Sequence, residues 1–270
     1  MSEIDTLREL PLWQSAPVIT PIAEGRTNRN FEVRDGGRTY FARIGKDLPY
    51  HRIDREVERR AMILAAADEI APPVAYTADG LLVTGFIDGR TLHKHEVQDS
   101  DLEGIANVLR RLHRNPASEM PTFLPKEAAL FYLEMLPDAA LGFDRQQVQS
   151  SLVAMPSCEP RCLVHGDLIP ENVIAHGTTM HLVDWEYAGR GVPEVDLASV
   201  ISNFELDDRR ASILLNAYGS YAADLLIPMR DASIIREYLW CLVQTRYGET
   251  SADLPQYTEL CRQRVCGLGL

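Results

Sequence analysis

The sequence contains few cysteines and no long apolar run. Its five cysteines are an odd number, and neither close pair, Cys158/Cys162 or Cys261/Cys266, has the two-residue gap or the second pair of a zinc site. A chain of 270 residues needs no disulfide framework, so we expect buried, reduced thiols. No stretch approaches the roughly 18 consecutive apolar residues that cross a bilayer. These absences argue against a disulfide scaffold and a membrane-spanning protein.

Basic side chains are in the minority. There are 27 Lys and Arg against 39 Asp and Glu, a formal charge of −12. Nucleic acid and anionic membrane surfaces would repel this charge, so we expect a small-molecule partner, and a cationic one is compatible. The first ten residues, MSEIDTLREL, are acidic and lack an apolar core, so we expect no signal peptide and a cytoplasmic location.

The first third of the chain predicts strands around a single helix. Short alternating segments indicate strands at Val18–Ile22, Asn30–Arg34, Thr39–Ile44, Val74–Thr77 and Leu81–Ile87. Between the third and fourth strands, apolar residues recur at helical spacing and predict a helix over Ile53–Ala67. This order is typical of a small antiparallel sheet that carries one helix.

Beyond residue 88 helical periodicity dominates. A helix is predicted around Leu102–Leu112, and the further predicted helices are Lys126–Leu136, Arg145–Met155, Ala211–Ala223, Ala232–Thr245 and Pro255–Val265. A brief strand over Cys162–Val164 and a hairpin, Val173–Ala175 with His181–Val183, interrupt them. The sequence therefore predicts an α+β fold of two lobes, a β-rich lobe over residues 1–88 and a mainly helical lobe over residues 89–270, joined near residues 86–89.

The stretch LVHGDLIPENVIAHGTTMHLVDWE carries the clearest chemical signal. Asp167 follows a strand end, Asn172 comes five residues later, and Asp184 closes the next hairpin. Phosphoryl transfer needs a carboxylate near the acceptor hydroxyl and oxygen ligands that hold Mg²⁺ against the phosphates. Asp167 suits the first role, and Asn172 and Asp184 suit the second. Any one of these residues alone could be a turn former, but together they match the spacing of a kinase catalytic loop.

These residues resemble the aminoglycoside phosphotransferase and choline kinase superfamily, which shares the protein kinase-like fold. The resemblance rests on His165-Gly166-Asp167 through Asn172 and on Asp184-Trp185-Glu186. It implies that Asp167 is the catalytic base and that Asn172 and Asp184 bind Mg²⁺. It also implies that His165 braces the loop and that Asp196 hydrogen-bonds to the loop backbone.

The N-terminal lobe has the parts of an ATP site. The turn EGRTNRNFEV lacks the G-x-G-x-x-G of protein kinases but resembles the G-x-T-N-x-N turn of choline and thiamine kinase-like proteins; its residues are Gly25, Thr27, Asn28 and Asn30. Arg43, on the strand YFARI, is the expected phosphate-binding cation, with Lys46 as the competitor. Glu56 on the next helix is its expected ion-pair partner, or else an exposed helix glutamate. Adenine is expected to bind the backbone near Phe86 and Ile87.

The acceptor side is less defined by the sequence. The resemblance implies that Glu186, in DWE, lies beside an acceptor ammonium, and that Phe204, Trp240 and Tyr257 supply aromatic faces. Val243 stands where choline kinases have a second tryptophan, and ordinary helix packing is an alternative for all three aromatics.

Three functions therefore compete. The first is an ATP- and Mg²⁺-dependent kinase of choline or ethanolamine, in which Asp167 also contacts the acceptor. The second is a kinase of the same fold acting on an aminoglycoside or thiamine. The third is a catalytically silent nucleotide-binding module that regulates a partner, against which the presence of Asp167, Asn172 and Asp184 argues.

Overall fold

An antiparallel sheet with strand order β1-β2-β3-β5-β4 forms the first part of the protein. The computed structural model describes residues 2–22 and 28–270. The strands of this sheet are β1 (Val18–Pro21), β2 (Arg29–Asp35), β3 (Arg38–Ile44), β4 (Val74–Ala78) and β5 (Leu81–Gly85). Each predicted strand is confirmed to within two residues at its ends. The sheet is preceded by helix α1 (Glu3–Arg8), which the sequence patterns did not indicate.

The hairpin between β2 and β3 fixes the register of the sheet. Gly36 and Gly37 have φ angles of 55° and 81°, a left-handed conformation that glycine adopts without steric cost. The resulting pairing sets Asn30 directly opposite Arg43 and Asp35 opposite Arg38. Because opposite residues of an antiparallel pair share a face, Asn30 and Arg43 lie side by side.

Helix α2 (Arg55–Ala67) follows β3 and confirms the predicted helix. Asp54 caps it by accepting from the backbone N–H groups of Glu56 and Val57. The buried positions of α2 include Glu58, which lies on the same face as its buried apolar residues. A short 3₁₀ turn over Pro49–His51 precedes this helix.

The rest of the described chain is mainly helical. Its helices are α3 (Asp99–Leu112), α4 (Pro125–Met135), α5 (Arg145–Ala154), α6 (Pro193–Asn203), α7 (Asp208–Tyr218), α8 (Ala223–Tyr247) and α9 (Leu254–Cys266). Its short strands are β6 (Arg90–Thr91), β7 (Cys162–Val164), β8 (Val173–His176), β9 (Thr179–Leu182) and β10 (Gly189–Gly191). The predicted α+β architecture, an antiparallel sheet with one helix followed by a mainly helical part, is confirmed.

A shared apolar core lies beneath the junction of the two parts. It contains residues of α2 such as Ala61 and Ala65 together with Leu109 of α3, Leu182 of β9 and Trp185. Within residues 2–22 and 28–270, no helix combines the length and apolar character needed to cross a membrane. The predicted lobe boundary at residue 88 stays a prediction.

Candidate active site

A cavity of about 1050 Å³ lies between the sheet and the helical part. Its walls include Arg43 and Phe86 from the first part and Asp167, Asn172 and Asp184 from the second. The three residues of the predicted catalytic loop and hairpin therefore face one cleft. The other predicted residues on its walls are Asn28, Asn30, Ile87, Glu186, Trp240 and Tyr257.

The loop between β7 and β8 presents Asp167. Gly166 makes the turn that precedes it, with φ of 79°, and a Cβ on Gly166 would lie 2.5 Å from the Tyr187 carbonyl oxygen. Only glycine satisfies both conditions without displacing the backbone. Asn172 Nδ2 donates to the Asp167 carbonyl oxygen at 2.9 Å, which closes the loop on itself and directs Asn172 Oδ1 away from that carbonyl.

Asp196 fixes the same loop from α6. Its fully buried carboxylate accepts from the backbone N–H groups of His165 at 2.9 Å and Gly166 at 3.0 Å, and it contacts His113 Nε2 at 3.0 Å. Burial opposes ionisation, but the His113 hydrogen bond and the neighbouring histidines outweigh it and lower the pKa of Asp196. The predicted contact between Asp196 and the loop backbone is confirmed.

His165 is a buried support of the loop. Its Nε2 lies 2.9 Å from the Val183 carbonyl oxygen, and its ring lies against Trp185 with ring centroids 4.7 Å apart. Burial lowers the pKa of His165, which favours the neutral ring. The contacts tie the start of the loop to the hairpin that ends at Asp184, as predicted for a bracing residue.

Asp184 and Arg43 join the two parts across the cavity. Arg43 Nη1 lies 3.3 Å from Asp184 Oδ1, and Arg43 is buried. Asp184 has φ of 66°, a left-handed conformation that is uncommon outside glycine and turns the residue out of the hairpin. Partial desolvation within the cleft and the nearby Glu186 carboxylate raise the pKa of Asp184, although 42% of its side chain is exposed.

The ion-pair partner of Arg43 is Glu58, and the expected pairing with Glu56 is wrong. Glu58 contacts Arg43 Nη2 and Arg55 Nη1 and is itself buried. Glu56 instead pairs with Arg59 and Arg60 on the outer face of α2. The two glutamates are two positions apart on a helix, so about 200° of rotation separates them and only one can face the sheet.

Arg55 is a second cation that the sequence analysis missed. Its Nη1 lies 3.2 Å from Glu186 Oε2, and its Nη2 donates to Asn28 Oδ1 at 2.7 Å. Asn28 Nδ2 donates to the same Glu186 oxygen at 3.1 Å. These contacts join Glu186 to the N-terminal lobe, and Glu186 also lines the cavity that contains Trp240 and Tyr257. Its place beside an acceptor ammonium stays a prediction.

The remaining nucleotide-site predictions fare differently. Phe86 and Ile87 line the cavity, although the Phe86 N–H donates to the Thr39 carbonyl and so is used within the sheet. Gly25 and Thr27 lie outside the described residues. Asn30 lies on the cavity wall beside Arg43, as its strand register requires.

Helices α8 and α9 supply the opposite wall. Trp240 lines the cavity, and its Nε1 donates to the Tyr187 hydroxyl at 2.7 Å. The Tyr257 hydroxyl contacts Glu237, whose other oxygen accepts from Arg264 at 2.7 Å. Glu237 comes one helical turn before Trp240, a spacing that puts both on one face of α8.

Phe204 does not belong to this wall, so its predicted acceptor role is wrong. Its side chain is 1% exposed and packs in the apolar core beneath the loop. Phe204 ends α6, where its N–H still bonds back to Val200 and the ring turns inward with the helix. Helix packing, the alternative given above, is what the structure shows for this residue.

Arg236 of α8 also reaches the loop. Its Nη2 donates to Asp167 Oδ1 at 2.9 Å and its Nη1 donates to the Gly166 carbonyl at 3.2 Å. The guanidinium lies over two rings, with Cζ 5.4 Å from the centroid of Phe123 and 5.0 Å from that of Tyr187. No local sequence pattern links a helix arginine to a loop 69 residues earlier.

Comparison with known proteins agrees with this arrangement. The protein is 25% identical over 256 residues to Protein LicA of Haemophilus influenzae strain KW20. The alignment covers 84% of this chain and 93% of LicA. A choline/ethanolamine kinase family protein from Mesorhizobium loti superposes with a TM-score of 0.78 at 24% identity, covering 98% of this chain and 92% of the other.

Choline kinase LicA from Streptococcus pneumoniae superposes with a TM-score of 0.75 at 18% identity and covers 93% of each chain. At these identities the two superpositions show the fold alone, and they confirm the predicted protein kinase-like fold. Residues 18–229, most of this chain, match the phosphotransferase enzyme family. The chain therefore belongs to the phosphotransferase enzyme family.

Proposed function

We propose that this protein transfers the γ-phosphate of ATP to the hydroxyl of a small cationic amino alcohol, choline or ethanolamine. The observation that carries the proposal is the convergence of Asp167, Asn172, Asp184 and Arg43 on one cavity between the lobes. These are the groups that phosphoryl transfer requires, and their mutual contacts hold them in place before substrate binds.

The nucleotide would lie on the N-terminal side of the cavity. Arg43 is buried, is kept in position by Glu58, and points its other terminal nitrogen at Asp184. A planar guanidinium in this position can bind two phosphate oxygens. Phe86, which is 41% exposed at the end of β5, would cover one face of the adenine. A related protein, LicA, has been crystallised in complex with AMP.

The donor set suits a magnesium ion bound together with nucleotide phosphates. Asp184 offers a carboxylate on the cavity wall, and Asn172 offers Oδ1 because its Nδ2 is used by the loop. Mg²⁺ is commonly held by one or two protein oxygens and completed by phosphates and water. When bound, it would neutralise phosphate charge.

Asp167 would act on the acceptor. One carboxylate oxygen is held by Arg236, so the carboxylate has a fixed orientation while 32% of the side chain stays exposed. An acceptor hydroxyl that donates to Asp167 would be oriented for in-line attack on the γ-phosphate and would lose its proton to the carboxylate. Arg43 would neutralise charge that develops on the transferred group.

The acceptor cation would lie against the wall formed by α8 and α9. Trp240 and Tyr257 supply aromatic rings, and Glu237, which contacts the Tyr257 hydroxyl and Arg264, supplies a carboxylate on the same wall. Glu186, which lines the same cavity, is the other carboxylate proposed beside the acceptor cation. The relatives named as choline and ethanolamine kinases support this acceptor class. We further propose that the protein is cytoplasmic and that the boundary between its lobes lies at residue 88.

The decisive experiment is an ATP-consumption screen with Mg²⁺ over choline, ethanolamine, thiamine and kanamycin, with Asp167→Asn as the matched inactive control. Turnover of choline or ethanolamine that Asp167→Asn abolishes is the expected result. Turnover of kanamycin or thiamine alone would replace the acceptor class and keep the reaction type. ATP binding without turnover of any compound would favour the silent module.

A further inference from the structure

A three-residue segment before α2 docks onto the helical part of the protein. The Tyr50 ring stacks on Tyr247 with centroids 6.3 Å apart, and Arg52 Cζ lies 5.5 Å from the centroid of Phe131. His51 lies between them and is 2% exposed. We call residues 50–52 the docking segment. It belongs in sequence to the N-terminal lobe but makes these contacts with α4 and α8.

The His51 ring is held by two hydrogen bonds. Its Nε2 lies 2.7 Å from Gln244 Oε1 and its Nδ1 lies 3.3 Å from the Tyr132 hydroxyl. Gln244 Nε2 donates to the Glu249 carbonyl, which fixes the orientation of that amide. Because Gln244 Oε1 can only accept, His51 donates from Nε2. The Tyr132 hydroxyl lies within hydrogen-bond distance of both His51 Nδ1, at 3.3 Å, and the His51 carbonyl oxygen, at 3.4 Å. The Nε2 hydrogen bond fixes the orientation of the ring, and burial lowers the pKa of His51, which favours the neutral form.

One face of the His51 ring lies on Trp240. The ring centroids are 4.9 Å apart and the planes are inclined by 17°, a stacked arrangement. The indole N–H of Trp240 is used by the Tyr187 hydroxyl at 2.7 Å. Trp240 is thus fixed at one face and at its N–H, and it lines the cavity.

The backbone conformation of the docking segment indicates that its contacts with the helices hold it in place. Arg52 has φ of 57°, and a residue other than glycine in the left-handed region costs on the order of one kilocalorie per mole or more. Such a conformation persists when surrounding contacts determine it. Here the stacking of Tyr50, His51 and Arg52 on the helices supplies those contacts.

We propose that His51 is a positioning residue for the phosphate acceptor, which acts by holding the indole ring of Trp240 in the cavity wall. The proposal rests on the proposed function, because the acceptor role of Trp240 is part of it. Its consequence is that a segment of the nucleotide-binding lobe completes the acceptor wall, so acceptor affinity depends on how the two lobes are arranged.

The first test compares two substitutions of His51 with the acceptor found by the screen. His51→Ala removes the ring and should raise the acceptor KM about five- to tenfold, with kcat and the KM for ATP changed less than about twofold. His51→Phe retains a flat ring and should bring the acceptor KM back to within about threefold of the unmodified protein. His95→Ala, the same substitution at an exposed histidine that is not among the residues on the cavity wall, is the control and should leave KM unchanged.

The second test asks whether His51 acts through Trp240. In a Trp240→Ala background, His51→Ala should add no further increase in the acceptor KM, because the ring that it positions is absent. Equal increases in both backgrounds would overturn the proposal, as would a His51→Phe protein impaired as severely as His51→Ala.

A third readout needs no acceptor. Acrylamide quenching of Trp240 fluorescence is measured as the difference between each protein and its Trp240→Phe counterpart. His51→Ala should increase this quenching at least about twofold, because one indole face loses its cover. If His51→Ala does not melt cooperatively, His51→Asn replaces it. Increased quenching without amino alcohol turnover would refute the proposed function alone, whereas unchanged quenching would refute the positioning role.

Discussion

Arg236 Nη2 donates to Asp167 Oδ1 at 2.9 Å, so the residue proposed as the base is held by a cation from a distant helix. The same guanidinium donates to the Gly166 carbonyl and lies over the rings of Phe123 and Tyr187. Its side chain is 12% exposed, and it reaches the cavity together with Asp167. The carboxylate is thereby oriented before an acceptor binds.

Replacing Arg236 should therefore lower turnover more than binding. Charge-assisted hydrogen bonds are worth about 1.5–3 kcal/mol, so Arg236→Gln should lower kcat about 10- to 100-fold while the KM for ATP stays within about twofold. Arg230→Gln is the matched control, since Arg230 lies on the same helix, is 42% exposed and pairs with Asp231. Steady-state kinetics of the two variants make the comparison, and equal rates would contradict the orienting role.

Removing the base itself should have a larger effect. General base catalysis contributes about 10²- to 10⁴-fold, so Asp167→Asn should lower kcat by that factor. ATP affinity should change less than about twofold, because the proposal assigns Asp167 to the acceptor hydroxyl and not to the nucleotide. Calorimetric titration with a non-hydrolysable ATP analogue and a turnover assay separate the two quantities. A variant that keeps the unmodified rate would refute the assignment.

The two glutamates of α2 offer a comparison within one helix. Glu58→Gln removes the buried carboxylate that holds Arg43, and the KM for ATP should rise at least about tenfold because a charge-assisted contact is lost. Glu56→Gln removes only exposed contacts with Arg59 and Arg60, and ATP affinity and melting temperature should stay the same. Equal effects of the two substitutions on nucleotide affinity would contradict the structure.

Trp240 and Phe204 should also behave differently. Trp240→Ala should raise the acceptor KM about tenfold, since it removes an aromatic face of the cavity. Phe204→Ala should lower the free energy of unfolding by about 3–5 kcal/mol, because the ring is fully buried in the core, with the acceptor KM of the folded protein unchanged. Kinetics and urea denaturation of both proteins test this prediction. A raised acceptor KM in the Phe204→Ala protein would mean that Phe204 contributes to the acceptor wall after all.

His51 should make the stability of the protein depend on pH. Burial lowers the pKa of His51 to about 4, below the ordinary value of about 6.5. As the pH falls from about 6.5 towards about 4, the unfolded chain takes up a proton on this histidine before the folded protein does. The free energy of unfolding therefore decreases. The loss between pH 7.5 and pH 5 should be about 2 kcal/mol.

The His51→Gln protein isolates this contribution, because glutamine does not titrate and all other titratable groups are the same in the two proteins. Urea denaturation at several pH values should show a flatter pH dependence for His51→Gln than for the unmodified protein. Parallel curves would mean that His51 is protonated in the folded state.

The catalytic loop could be predicted because its signal is local. Asp167, Asn172 and Asp184 follow one another within a loop and a hairpin, so their order along the chain already places them together. The apolar residues of α2 define two overlapping stripes on the helix. The spacing of Val57, Ala61 and Leu64 predicts a buried face about one position away from the observed one, which contains Glu58, Ala61, Met62 and Ala65. A glutamate within the buried stripe was the signal that could have identified it.

Contacts between residues far apart in the sequence could not be predicted in the same way. Arg236 contacts Asp167 across 69 positions, and His51 contacts Gln244 across 193. Such pairs depend on how α8 packs against the rest of the protein, which no periodicity encodes. Phe204 was predicted to line the acceptor cavity from its place in the sequence. It instead lies at the end of α6 with its ring in the core, an orientation that also depends on helix packing.

The buried pair of Arg43 and Glu58 has a consequence for the origin of this protein's stability. Taking two charges out of water costs more than their attraction commonly returns, and well-packed apolar residues of similar volume at such positions are often as stable or more so. Resistance to heat alone would thus favour hydrocarbon side chains here. The buried ion pair therefore lowers the stability of the interface between the sheet and α2 relative to apolar packing. In return, Glu58 holds the Arg43 guanidinium at the cleft.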